Sequence, residues 1–462
     1  MLLLTRASFA STATVSDYDA LAAAAGDPSV TEIVILDDIQ GAQVAFTGRP
    51  VFIYSDGGPF GVPSLSFDDG TDGTVLQDLI FGTDMGGETM TTSHLDVLGG
   101  AVTGVDLQMV GDSGLYTLSI RGGSVTLTNL QVTDIVGDYA AAHLNPDNGV
   151  DGTLLIDGCS VSNPGPGFLS VAGSGAQETK LELIDCDVSS DDSRAEAVWV
   201  YGENVAVDVV GGEYRGHQSA FVLAGPYDIT ADITATFDGV TFLDNTQGAI
   251  IADRITSLEV TNSAFCNNSG NAGGQDVYSV GTKTTYRYNF NHAASDGSAV
   301  LIGDDWAIVE QNSFYDNQVA LELAGEEVTL VNNLFDDNAQ ALTVDDGVTF
   351  SERGYNAWWA NGYAGIDLDD TELSLQQDPG YVSMAEDDCD WRPYLGEGSP
   401  LIDAGAPDRV DPDGSRADIG AFPFAAGDDS ATVVSWISGG CTSSLAGLCF
   451  FPLLLLSRRR CS

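Results

Sequence analysis

The stretch from Thr282 to His292, "TKTTYRYNFNH", gathers basic and aromatic side chains in a chain that has only two lysines, Lys180 and Lys283. Read as a strand, it sets Lys283, Thr285, Arg287 and Asn289 on one face and Tyr286, Tyr288 and Phe290 on the other. His292 follows closely. Such a cationic pair suits charge neutralisation of an anionic sugar, and Lys, Arg or His suits abstraction of a proton beside it. Lys283, Arg287 and His292 are therefore the candidate catalytic residues. The plainer assignment of the same face is solvated strand surface.

A second stretch, Ser399 to Phe422, reads "SPLIDAGAPDRVDPDGSRADIGAF". Asp411 and Asp413, at i and i+2 before Gly414, match the opening of a calcium loop, with Asp418 as a further carboxylate. The third ligand before the glycine and the closing glutamate of that loop are missing, so a structural turn competes with calcium here. Calcium is the only cofactor suggested, and none is required. The seven cysteines contain no CxxC and no Cys/His cluster with zinc spacing. Aligning "DGCSVS" with "DCDVSS" on Val161 and Val188 brings Cys159 opposite Cys186, at the ~5 Å of stacked strands. Either a disulfide or two buried thiols satisfies that placement.

These residues need a scaffold, and composition narrows it. The chain has 462 residues, 16 Lys+Arg, 68 Asp+Glu and a formal charge of −52. A field of that sign repels nucleic acid and anionic lipid, so neither is a partner, and a monomer is expected. With 43% hydrophobic residues the chain can build a core despite its charge. The 54 glycines and the rarity of long amphipathic runs point to an all-β protein. One short helix, "SDYDALAAAAGD", is expected, capped by Ser16 or Asp17 and stopped by Gly26.

From about Val75 a pattern recurs in "VTLTNLQVTD", "LLIDGCSVSN", "LELIDCDVSS", "ATFDGVTFLDN", "LEVTNSAFCNN", "VEQNSFYDN" and "TLVNNLFDDN". The turn residues Asp238, Asn262, Asn289, Asn312 and Asn333 are 24, 27, 23 and 21 residues apart. Short strands without intervening helices, at this period, predict a solenoid of parallel β-rungs. Stacked turn Asn or Asp side chains are expected to bond the backbone and one another along a ladder. About ten rungs at ~4.8 Å would make a rod of ~50 Å.

This pattern, over about Val75 to Trp359, resembles the right-handed parallel β-helix proteins of the pectate-lyase superfamily. The resemblance implies a fold, all-β and single-stranded, and not an activity. The glycosidase words of that superfamily, N-T-D followed by D-D and H-G, are absent in order, and "SSDDSR" supplies only Asp191 and Asp192. The pectate-lyase R-x-P-x-x-R is also missing, with Arg392 and Pro393 alone in "WRPYLGEG". The words "DPGY", "SPLIDAG" and "DGSRADIGAF" resemble the closing segment of bacterial β-helix surface proteins called a choice-of-anchor domain. That resemblance implies a last coil, with Leu401, Ile402, Ile419 and Phe422 plugging the open end. Pro400, Pro407 and Pro412 would stop ladder growth, and Asp403, Asp411 and Asp418 would accept from backbone amides or Arg416.

The tail, "SGGCTSSLAGLCFFPLLLLSRRRCS", runs from Cys441 through an apolar segment to Arg458, Arg459 and Arg460. It resembles the tripartite MYXO-CTERM sorting tails of bacterial surface proteins, which implies cutting near Cys441 and attachment to the cell envelope. The N-terminus has only a stub of apolar residues, so the true start is expected upstream. The expected organisation is a partial leader at 1–15, a cap and first strands at 16–74, β-helix repeats at 75–360, a closing segment at 361–425, a linker at 426–440 and the sorting tail at 441–462. The function expected is an exported, cell-surface β-helix rod, secreted or anchored to an outer membrane, for display, adhesion or carbohydrate contact. The alternative is a lyase or hydrolase of acidic polysaccharide on the same scaffold.

Overall fold

The computed structural model describes residues 11–82, 93–112, 116–136, 139–146, 150–192, 195–225, 231–270, 274–375, 377–382, 389, 393–411 and 413–424. The chain is an all-β parallel solenoid of about 14 turns with almost no helix. Its winding is right-handed, the sense that parallel crossovers nearly always take. All ladder pairings between strands are parallel, and they form three stacked sheets. At ~4.8 Å per rung the rod is ~65 Å long. It exceeds the ten rungs expected because pairing reaches back to Thr12, where Thr12–Val15 lies on Glu32–Ile35 and that strand on Phe52–Ser55.

Alternation explains how each rung closes. In the first sheet, Ala231–Asp238 buries every second residue and exposes the others. Between the first and second sheets the chain turns sharply through one left-handed residue, among them Asn129, Asp185, Asn262, Tyr288, Gln311, Asn332 and Tyr355. A second set, including Asp134, Asn163, Asp244, Asn267, Asp316 and Asp337, ends the second sheet. Asn and Asp tolerate this conformation better than other non-glycine residues, which is why they mark the repeat in the sequence.

The ladder itself sits one residue beyond Asn262 and two beyond Asp238, in the column of Val240 and Ser263. Ser263 N–H donates to Asn289 Oδ1 at 2.9 Å, Asn289 N–H to Asn312 at 2.9 Å, Asn312 N–H to Asn333 at 3.0 Å and Asn333 N–H to Asn356 at 2.9 Å. The stacked separations are 26, 23, 21 and 23 residues. Glu372 ends this ladder by accepting from Asn356 N–H at 3.2 Å. A second ladder runs from His217 through Asn245 and Asn268, and resumes at Asn317, Asn338 and Asn361. Its missing member is Ala294, whose N–H still donates to Asn317 Oδ1. There Asp276 bridges the gap, accepting from Asn268 Nδ2 at 2.9 Å and Asn291 Nδ2 at 2.6 Å. Inside the rod, rings stack on the same register: Phe242 on Phe265 at 4.9 Å, Phe314 on Phe335 at 5.1 Å and Phe335 on Trp358 at 4.5 Å.

The helix α1, Tyr18–Gly26, is capped by Asp17, whose carboxylate accepts from Ala20 N–H at 2.9 Å. Leu21 and Ala24 join the core. Arg49 donates to the Ala24 and Ala25 carbonyls, placing a cation at the helix C-terminus.

The closing segment does not plug the end of the rod, contrary to the expectation from its sequence. After Leu373–Ser374 pairs beside Ala357 and Trp358, the described residues between 377 and 424 double back along the outside of the second sheet. Leu401 and Ile419 pack on Leu334 and Ala357, and Phe422 lies 5.9 Å from Phe290. Gly420 N–H donates to the Asn332 carbonyl at 2.9 Å, and Ala421 N–H to Ser313 Oγ at 2.9 Å. A disulfide joins Cys266 to Cys389, 123 residues apart. The physical reason is on the rungs themselves. The outward positions of Phe290–His292, Ser313–Tyr315, Leu334–Asp336 and Ala357–Trp359 carry Phe290, His292, Tyr315, Leu334, Ala357 and Trp359, so their outer side needs a cover, and Ser313 and Asp336 there bond to it. The segment is a lateral strap, and Arg416 serves it by donating to the Gly405 carbonyl at 2.6 Å rather than to a carboxylate. Pro412 lies outside the described residues.

Candidate functional site: an aromatic groove on the third sheet

The outward column of the third sheet reads Asp96, Ser119, His143, Ser170, Trp199, Val222, Ile251, Tyr278 along successive rungs. Two residues on, Ala172, Tyr201, Ala224 and Asp253 form a parallel column. Trp199 and Tyr201, on alternate positions of one strand, project together with their rings 5.6 Å apart. They are 48% and 40% exposed, unusual for side chains of their size.

On the other side of the Trp199 column, Gly167 stacks on Glu196. Tyr139, Ala140 and Pro166 lie on the earlier rungs beside it. Small residues at Ala140 and Gly167 leave a trough between an aromatic wall and a carboxylate wall. Gly167 is required there, because a Cβ would meet the Glu196 carbonyl at 2.6 Å. Tyr116 stacks on His143 at 4.5 Å and leans on Tyr139 at 5.3 Å. Tyr116, Tyr139, Trp199, Tyr201, Glu196 and the Asp253–Arg254 pair enclose a groove of about 790 Å³, within the range that holds small-molecule and oligomeric ligands.

The electrostatics of the groove follow from its walls. Burial pushes the Glu196 carboxyl above its ordinary range. Among the described residues no side-chain hydrogen bond or ion pair holds that carboxyl, so its oxygens remain available as acceptors. Burial, and then the neighbouring phenols of Tyr201 and Tyr139, raise the Tyr116 hydroxyl. Arg254 grips Asp253 through Nε at 3.1 Å and Nη2 at 3.0 Å, so the groove's one cation among the described residues is matched by a carboxylate.

The residues singled out by sequence lie elsewhere and apart. Lys283 is exposed on the first sheet, and Arg287, at the far end of the same strand, faces Glu310 at 3.0 Å. Glu310 is shared with Arg409 of the strap at 2.7 Å. Asn289 does not continue the outer face of Lys283 and Arg287, because the left-handed Tyr288 swings it into the buried ladder. His292 belongs to the second sheet, buried under the strap beside Cys266 and Tyr315. The three do not converge on one site.

Asp411, Asp413 and Asp418 lie in the strap. Asp418 accepts from Asp403 N–H at 2.7 Å and from Phe424 N–H, Asp411 accepts from Asp418 N–H at 2.9 Å, and Asp413 accepts from Ser415 N–H at 2.8 Å. Among the described residues, no group of three or more His, Cys, Asp or Glu side chains is arranged to hold a metal ion. Cys159 and Cys186 sit opposite each other with Cα atoms 4.4 Å apart and are joined as a disulfide. Cys441, Arg458, Arg459 and Arg460 lie outside the described residues; among the described ones no helix is long and apolar enough to cross a membrane.

The groove left one mark in the sequence. "AVWVYG" was legible as a strand, and its signal was the pair of large aromatics at alternate positions, Trp199 and Tyr201, where a solvated face carries Thr, Ser or Asp.

No family profile and no curated protein matches this chain. Two solved structures are similar in outline. The catalytic domain of GH87 alpha-1,3-glucanase in complex with nigerose is 13% identical, with a TM-score of 0.41, over 75% of this chain and 69% of that one. The crystal structure of pectate lyase Pel9A is 12% identical, with a TM-score of 0.24, over 85% of this chain and 88% of that one. Neither likeness bears on which residues of this chain do chemistry.

Proposed function

We propose that this chain is an exported β-helix rod that holds a glycan in the third-sheet groove without cleaving it. The observation that carries this reading is the groove itself, with exposed Trp199 and Tyr201 facing an unheld Glu196 carboxyl. Flat aromatic faces stack on the C–H faces of pyranose rings, while a few carboxyl and hydroxyl groups fix their orientation.

Spacing argues for holding over cutting. Asp253 lies two rungs beyond Tyr201, and Glu196 five residues before it. At ~4.8 Å per rung and ~3.3 Å per residue, the two carboxyl-bearing positions are roughly 19 Å apart. Glycosidases set their carboxyl pair at about 5–9.5 Å, a gap that these side chains do not close. A lyase would need a free base and cations at the sugar, and Arg254 is already bound to Asp253.

Export and display at the cell surface belong to the same proposal. They are supported by the Cys441-to-Arg460 tail sequence and by two disulfides, which persist in oxidising compartments. The tail would attach the rod to the cell envelope. Calcium has no part in this reading. Adding it at pH 8 is expected to leave the melting temperature unchanged, and a rise would bring Asp411, Asp413 and Asp418 back as ligands.

The test is affinity electrophoresis on a panel of polysaccharides, with Trp199→Ala beside the native chain. Retardation that falls at least tenfold in the variant, with an unchanged circular dichroism spectrum, is expected. Release of reducing ends or unsaturated products by the native chain would instead establish the hydrolase or lyase alternative.

A further inference from the structure

We infer that the glycan held in the groove is uncharged, a neutral hexose polymer and not a uronate; the inference rests on the glycan-binding reading. Among the described residues, the groove's charged side chains are Glu196, Asp253 and Arg254. Arg254 is committed to Asp253 through two nitrogens. The next cation along the same face, Arg121, is committed in the same way, with Nη2 2.8 Å from Asp96 Oδ2 and Nε 3.4 Å from Oδ1. Both guanidinium forks are therefore filled by carboxylates of the chain itself, and a sugar carboxylate would have to displace one.

Among the described residues, what remains for a ligand is the aromatic surface of Tyr116, Tyr139, Trp199 and Tyr201 and the acceptor oxygens of Glu196. A uronate would meet Glu196 with like charge inside a partly desolvated trough, on a molecule whose formal charge is −52. Sugar hydroxyls, by contrast, donate to a carboxylate, and that bond is stronger than one to a neutral acceptor. Stacking and hydroxyl bonding are local, so binding should hardly depend on salt. Lys283, which the charge pattern makes the obvious partner for an acidic sugar, is on another sheet.

The experiment uses the full-length chain in affinity gels containing a neutral glucan, polygalacturonate or chitosan, each at low and high salt, with Trp199→Ala and Glu196→Gln alongside. The expected result is retardation by the neutral glucan, equal within about twofold at the two salts. Trp199→Ala should lower it at least tenfold and Glu196→Gln several-fold, with polygalacturonate giving none. Retardation by polygalacturonate that salt abolishes and Glu196→Gln strengthens would overturn the neutral class while leaving glycan binding intact. Retardation by chitosan alone, lost at high salt, would assign the effect to surface charge and overturn it too. A folded protein that no polymer retards would remove the glycan-binding reading itself, and the inference with it.

Discussion

Asp276 shows how a single side chain repairs the interior of a repeat. Where Ala294 leaves the second ladder without a member, Asp276 accepts from two amide groups, Asn268 Nδ2 and Asn291 Nδ2, and Asn291 Oδ1 in turn accepts from the Tyr286 hydroxyl at 2.8 Å. Only an ionised carboxyl, the form above about pH 7 here, offers both acceptors. Asp276→Asn turns one end into a donor facing a donor, and should lower stability by about 1–3 kcal/mol, read as a shift in the urea midpoint. An unchanged midpoint would mean that the bridge contributes nothing. The tolerance of Tyr288 and Gln311 for left-handed backbone belongs to the same scale. Sequence marks such turns when they carry Asn or Asp, and conceals them when they do not. For that reason the turn residues Asn262 and Asp238 lie one and two residues ahead of the ladder column they mark. The groove was hidden for a related reason: Trp199, Tyr201 and Glu196 are five residues apart in the chain, but the trough between them depends on Ala140 and Gly167, which have no distinguishing chemistry until the rungs are stacked.

Among the elements, the Asn ladder and the strap differ in how they hold the rod. The ladder is local and repetitive, and its presence, its period and its bonding were legible because each rung repeats the same word. The Asn312 side chain takes part in four bonds, accepting twice from Asn289 and donating to Asn333 and the Tyr286 carbonyl. Asn312→Ala should therefore expose the rungs on both sides to faster hydrogen exchange, whereas Asn356→Ala, at the last asparagine of the same ladder, should affect only the last turns. Equal effects would show that position in the ladder is irrelevant. The strap is nonlocal. Its words, "SPLIDAG" and "DGSRADIGAF", announced a closing piece, but what it covers depends on the outward apolar and aromatic residues of rungs 290–359, over which it lies. Its covalent tether spans 123 residues, long enough for cross-linking to favour the folded state by as much as ~4–5 kcal/mol in the chain-entropy account. Cys389→Ser should make residues 393–424 the first site of limited proteolysis while the rest of the rod survives. Cleavage at the same rate as in the native chain would show that the packing of Leu401, Ile419 and Phe422 holds the strap unaided.

At the scale of the whole molecule, acidity and burial act together. Burial, the largest cause in each case, raises Asp276, Asp336 and Asp411 to about 7 and Asp304 to about 6. A carboxyl whose folded value lies above its unfolded value favours folding when protonated. That contribution is complete below about pH 4 and is lost as pH rises through 6 to 7. Asp369, held near 2 by its bonds to Thr371 and Arg353, works in the opposite sense but only below pH 4. The melting temperature should therefore be higher at pH 5 than at pH 8, and salt should recover part of the difference by screening the net charge of −52. A melting temperature that climbs with pH across this window would contradict the assignment of these four groups.

The lateral strap has one further consequence, for how such a chain can change over generations. A solenoid normally lengthens or shortens by whole coils, because each turn touches only its neighbours. The strap ties Cys266 at one end to Ser313, Asn332 and Asp336 further along, at fixed intervals set by its own backbone. A duplicated or deleted coil inside that span would put every one of these contacts out of step at once. Among the described residues, coils upstream of Cys266 carry no such ruler. Length variation among descendants of this chain should therefore accumulate on the groove-bearing side and spare the strapped block, which acts as a measured insert in an otherwise extensible molecule.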